Sequence, residues 1–119
     1  MKISEPRILL HIEGAVVLTL ACILYRDLAS SWLMFAALFL APDISMLGYL
    51  FGKKAGAHAY NSVHTYLGPF FLWAIVYLAH RPAFLPFCLI WIAHIGFDRL
   101  LGYGLKYPTD FKDTHLARV

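Results

Sequence analysis

Charge is scarce in this sequence. Asp, Glu, Lys and Arg make up only 14% of its 119 residues while 61% are hydrophobic, against about 25% and roughly 45–50% in typical soluble domains. A soluble domain of this length cannot hide so much apolar surface in one core. The composition therefore excludes an ordinary soluble fold and calls for lipid. The net charge of +3 comes with no arginine-rich block and no basic helix, which argues against nucleic acid as a partner. Cysteine is nearly missing too. Cys22 and Cys88 show no CxxC spacing and fall inside apolar runs, the pattern of buried free thiols rather than of a disulfide or a redox pair. Internal repeats and low-complexity stretches are absent, so residues 1–119 read as a single transmembrane domain.

What the chain does have is long apolar runs. A spanning helix needs about 20 mostly apolar residues, and four segments qualify: 7–25, 32–51, 63–79 and 84–103. The expected fold is all-α, an integral membrane four-helix bundle. Its connections, YRDLASS, GKKAGAHAYNS and HRPA, are polar and carry turn formers, and the tail over 104–119 is polar enough to lie at the surface. The first run, Ile8 to Leu24, has the look of a signal peptide, but Glu13 interrupts it early, and a retained helix is expected. Lys2, Arg7, Lys53, Lys54, Lys106, Lys112 and Arg118 fall on one side of these spans, and only Arg26 and Arg81 on the other. The positive-inside bias then puts the N- and C-termini in the cytoplasm, with a bacterial inner (cytoplasmic) membrane as the expected location and membrane lipid as the constant partner.

With that orientation, all four helices bring ionisable groups to the cytoplasmic leaflet: Glu13 in the first, Asp43 after Pro42 in the second, His64 opening the third, His94 and Asp98 in the fourth. Such residues persist at membrane depth when they face the bundle interior and find partners. Glu13, Asp43 and Asp98 oppose Arg99 alone, a deficit of two charges that one divalent cation would balance. His94 and Asp98, spaced i, i+4, point from one helical face to one spot. Imidazole mixed with carboxylate suits Zn, Fe or Mn, and helical bundles hold such sites in their cores. The alternative is a structural network in which Asp98 pairs with Arg99 or His94. His11 and Glu13 lie about 200° apart around their helix; Glu13 is expected inward and His11 towards the headgroups. Pro42 should kink the second helix where Asp43 sits, and Gly14, Gly48, Gly68, Gly96 and Gly102 should let helices approach closely.

The stretches PDISMLGYLFGKKAGAHAYNSVHTY and AHIGFDRLLGYGLKYPTDFKDTHL resemble a small bacterial family of integral membrane proteins known only as a domain of unknown function, over nearly the whole chain. The Pro42-Asp43 pair and the scattered histidines resemble, more faintly, membrane-bound metal-dependent hydrolases. The expected function is a metal-dependent hydrolase of a lipid or other amphipathic substrate, with Glu13, Asp43, His64, His94 and Asp98 as metal ligands. Glu13, Asp43 and Arg99 are the expected catalytic groups, Arg99 meeting an anionic headgroup with help from Lys106. The alternative is a proton- or cation-coupled binding or transport protein, or a haem bundle with His64 and His94 as axial ligands. The apolar opposite half offers one subunit no path across, so transport would require a homo-oligomer.

Overall fold

The computed structural model describes residues 4–28 and 31–119; Lys2, which entered the charge count, lies outside them, as do Ala29 and Ser30 of the first connection. Among the described residues there is no strand. The order is α1 (Glu5–Asp27), α2 (Trp32–Leu38), a 3-10 helix over Ala41–Phe51, α3 (Lys53–His64), α4 (Leu67–Leu78), a short 3-10 turn over Pro82–Phe84, α5 (Leu85–Leu101) and α6 (His115–Arg118).

Three helical stretches are long and apolar enough to cross a membrane, Glu5–Asp27, Trp32–Phe51 and Pro82–Leu101. The second of them carries exposed Leu33, Leu50 and Phe51, each at least 80% accessible, as a lipid-facing helix does. These are the features of a membrane protein. The expected count of four long helices is corrected. The span expected over 63–79 is split: α4 has 12 residues, about 18 Å, against a hydrocarbon core of about 30 Å. Pro69 is the cause. It has no N–H for the Thr65 carbonyl and its ring clashes with that carbonyl, and Thr65 turns extended at φ −98°, ψ 146°. The connection GKKAGAHAYNS is corrected as well. It forms most of α3, whose buried face is Gly56, Ala57, Tyr60 and His64, a helical stripe masked in the sequence by its polar neighbours.

α5 is the central helix, buried along most of its length. Its main partner is α1, and the crossing is made at two glycines. A Cβ on Gly14 would stand 2.6 Å from the Leu100 nitrogen, and one on Gly96 would stand 2.9 Å from the Gly14 oxygen. Because Gly14 faces α5, Glu13 is turned out and exposed. His11, one turn before Gly14, reaches the Leu100 carbonyl at 2.7 Å. The expectation for those two residues is thus reversed. α5 ends on Gly102, left-handed at φ 98°, where the Tyr103 N–H returns to the Asp98 carbonyl at 2.7 Å, the common glycine stop.

The tail does not lie loose on the surface as its polarity suggested. Lys106, Thr114 and Leu116 are buried. Asn61 of α3 takes both backbone groups of Lys106, at 2.7 and 2.6 Å, and the buried Arg7 donates to the Leu116 and Ala117 carbonyls at 3.0 and 2.8 Å. The start of α1, α3 and the tail therefore share one end of the molecule, and the end of α1 packs on the first turns of α5 at the other.

Candidate metal centre

Four side chains from three elements converge near that end: Asp43 from the 3-10 helix, His64 from the last turn of α3, His94 and Asp98 from α5. One donor atom from each lies within 4.8 Å of all the others. His64 Nε2 stands 3.1 Å from Asp43 Oδ1 and 3.4 Å from Asp98 Oδ2. His94 Nε2 is 3.2 Å from each of the same two oxygens, and the two Nε2 atoms are 3.1 Å apart. In a tetrahedral site with ligands about 2.0–2.1 Å from the ion, the donors sit about 3.3–3.4 Å from one another. Five of the six edges of such a tetrahedron are therefore already close to their loaded length.

Local breaks in the helices build this arrangement. In an uninterrupted α-helix the Asp43 N–H would take the Phe39 carbonyl. Pro42 starts a 3-10 helix instead, the Asp43 N–H goes to Leu40 O at 3.0 Å, and the Phe39 carbonyl is left free. His94 Nδ1 takes it at 2.5 Å. His64 Nδ1 bonds the Tyr60 carbonyl at 2.9 Å, while its ring stacks on Tyr60 at 3.7 Å. The break at Pro69 leaves the Val63 and His64 carbonyls without helical partners. Trp91 Nε1 donates to the first at 2.7 Å and the Arg99 guanidinium to the second at 2.9 Å.

These bonds decide the chemistry. A carbonyl can only accept, so both Nδ1 atoms carry the proton, and with the rings in their neutral form both Nε2 atoms present lone pairs. In that form two lone pairs and two carboxylate oxygens face one another across the centre. Asp98 Oδ2 is buried without a hydrogen-bond partner, a state that costs about 1–3 kcal/mol unless something meets it. His64, His94 and Asp98 are buried, while the Asp43 side chain is 37% accessible. Two neutral imidazoles with two carboxylates carry −2, which one divalent cation cancels. N- and O-donors in this geometry suit Zn, with Fe and Mn also compatible. The Nδ1–carbonyl bonds are the outer contacts that metal-binding histidines commonly make.

Of the residues expected at the site, Asp43, His64, His94 and Asp98 are brought together. Glu13 is not among them; it lines a separate apolar groove with Tyr66 and Arg99. Arg99 is buried but holds the His64 and Tyr103 carbonyls, each at 2.9 Å, and so positions His64. The two Nε2 atoms would subtend about 100° at an ion bound at the usual distance. Axial ligands of a haem lie opposite each other, so the haem alternative does not fit this geometry.

Beside the cluster is a cavity of about 210 Å³, walled by Asp43, Asp98, Tyr60, Tyr103, Lys106 and Phe111. Lys106 Nζ donates to the Phe111 carbonyl at 2.7 Å and lies 3.7 Å from the Phe111 ring centre and 4.6 Å from that of Tyr60. Burial pushes its pKa below the ordinary lysine value. His115, in the tail expected at the surface, accepts the Leu105 N–H on Nδ1 at 2.8 Å. The residues that sequence reasoning missed are those acting through backbone, Phe39 and Tyr60, together with Trp91. Pro42 was the available signal for Phe39, since a proline frees carbonyls in the turn before it.

Over residues 7–119 the chain matches the family described as Domain of unknown function (DUF4260), and it belongs to that family. No curated protein and no solved structure matches it.

Proposed function

We propose that this member of the DUF4260 family is a membrane-embedded, metal-dependent hydrolase that acts on an amphipathic substrate at the cytoplasmic leaflet. The observation that carries the reading is the set of four converging lone-pair donors with one wall open to a cavity. A divalent ion bound there would lower the pKa of a coordinated water and polarise an ester oxygen. Asp43, the most accessible of the four ligands and part of the cavity wall, is the group suited to take the proton from that water. With such an ion in place, the water oxygen would bond to the acyl or phosphoryl centre as the ester bond breaks, and the alcohol would leave with the proton that Asp43 relays. Glu13 and Arg99 have no part in this scheme as catalytic groups; Arg99 is a positioning residue.

The lysine and arginine distribution supports cytoplasmic termini in a bacterial inner membrane. The chain then passes the bilayer four times, its third pass made by α4 together with the last turns of α3. That passage is tested with cysteines at the exposed Ala83 and Ala55. The first should react with an impermeant thiol reagent in intact cells and the second should not; the opposite pattern overturns the orientation.

One observation favours a second reading. Four protein ligands complete a tetrahedron, as in structural zinc sites, and an ion here would staple α3, α5 and the 3-10 helix. Turnover separates the two. Protein loaded with zinc or manganese in mixed micelles should hydrolyse short-chain carboxyl- or phosphate-ester substrates, with activity lost to a chelator and restored by the ion. A fully loaded protein that turns over none of them belongs to the structural reading.

A further inference from the structure

We infer that the cavity beside the metal centre receives the phosphate of a phosphomonoester, with Lys106 as its cationic anchor. The inference rests on the metal reading above and adds the substrate class to it.

Charge is the first ground. A divalent ion with Asp43 and Asp98 sums to zero. That leaves the ammonium of Lys106 and the guanidinium of Arg99, both buried, and neither has a carboxylate within salt-bridge distance among the described residues. Buried charges are ordinarily paired. Arg99 is held by two carbonyls and lines a different groove, so the uncompensated charge that faces the cavity is the ammonium of Lys106, which the anionic oxygens of a phosphomonoester would meet.

Lys106 itself is the second ground. Its backbone is clamped by Asn61 from both sides, so the base of the side chain cannot drift. An ammonium has three donors, and the Phe111 carbonyl takes one. The others lie against the Tyr60 and Phe111 rings in a cavity that also reaches Asp43 and Asp98. A phosphate has oxygens enough to meet the ion and the ammonium together, and it would exchange weak ring contacts for charge-assisted hydrogen bonds. Tyr103 and Phe111, both partly exposed, give the cavity mouth an apolar rim suited to the rest of an amphipathic ester. Arg7, the other buried cation near this end, is already committed to tail carbonyls.

The test uses full-length protein in detergent loaded with cobalt(II), whose visible spectrum reports its ligands. Orthophosphate is titrated in, and separately phosphatidic acid in mixed micelles with phosphatidylcholine as the control. Both phosphate probes should shift the cobalt bands, and phosphatidylcholine, which has no phosphomonoester, should not. Tighter binding of phosphatidic acid than of orthophosphate by about tenfold or more assigns a lipid headgroup; equal binding assigns a soluble ester. Lys106→Met should retain its cobalt and bind phosphate at least about tenfold more weakly, with Lys106→Arg restoring most of the loss. Cobalt bands indifferent to phosphate in the wild-type protein overturn this inference and leave the metal reading standing, as does a Lys106→Met protein that binds phosphate like wild type. Failure of the wild-type protein to take up cobalt overturns the metal reading first. Should Lys106→Met not fold, the wild-type titration decides alone.

Discussion

Pro42 offers the sharpest test of how the backbone builds the centre. Replacing it by Ala restores an N–H at position 42 and removes the ring that blocks α-helical hydrogen bonding. The Asp43 N–H, now on Leu40 O at 3.0 Å, is then free to take the Phe39 carbonyl, which is the partner of His94 Nδ1. Rewinding from about 3.0 to about 3.6 residues per turn also rotates the helix by about 20° per residue, carrying Asp43 off the centre. Loss of an outer-shell partner costs about 10–100-fold in metal affinity, or about 1.4–2.7 kcal/mol. The metal-free protein should change little in stability, because Pro42 stands in the first turn of its 3-10 helix, where proline and alanine are both accommodated. Competition for zinc against a chromophoric chelator measures the first effect, and melting of the metal-stripped protein the second. Pro42→Ala protein that holds zinc as tightly as wild type would refute the proposed link between the helix break and the histidine.

Gly96→Ala should destabilise by about 1–3 kcal/mol, since the new Cβ would meet the Gly14 oxygen and Leu18 nitrogen at 2.9 Å and neither backbone can yield. With an unfolding entropy of about 2.1 cal/mol/K per residue, this is about 4–12 °C in melting temperature; an unchanged melting point removes the glycine crossing from the account. The tail should loosen in acid. Burial and the nearby Arg99 charge hold the His115 pKa below its ordinary 6.5, so below that value the unfolded tail binds a proton that the docked tail refuses. The contribution of His115 is present above about 6.5 and is lost as pH falls towards the depressed value. The protection factor of the Leu105 amide, which donates to this ring, should fall from pH 7.5 to pH 5.5 in wild type more than in His115→Asn; equal falls in both would assign the effect elsewhere.

The sequence was legible where composition and period act alone. α1 and α5 lie close to the segments drawn from hydropathy, and four of the five expected metal ligands meet. The i, i+4 pair on α5 and the proline before Asp43 pointed to the same place. Glu13 was misread because an excess of carboxylates over Arg99 says nothing of which face of α1 is inward; Gly14 decides that through a backbone contact invisible in composition. α3 was hidden by its lysines and by His58 and Asn61, which lower the hydropathy of a segment whose buried stripe is helical. The role of Arg99 was equally out of reach, since it depends on a carbonyl freed by Pro69 in a different helix. The ordered tail follows from Asn61 and Arg7 binding its backbone, which side-chain polarity cannot announce.

The central claim is that Asp43, His64, His94 and Asp98 hold a divalent ion, and elemental analysis of the purified full-length protein tests it most directly. Wild-type protein should carry about one zinc, iron or manganese per chain, either as isolated or after incubation with the ion and removal of the excess. His94→Ala and Asp98→Asn proteins should lose it, and Glu13→Gln protein should keep it. Wild-type protein without metal after such loading, or with metal content unchanged in His94→Ala and Asp98→Asn, would contradict the account.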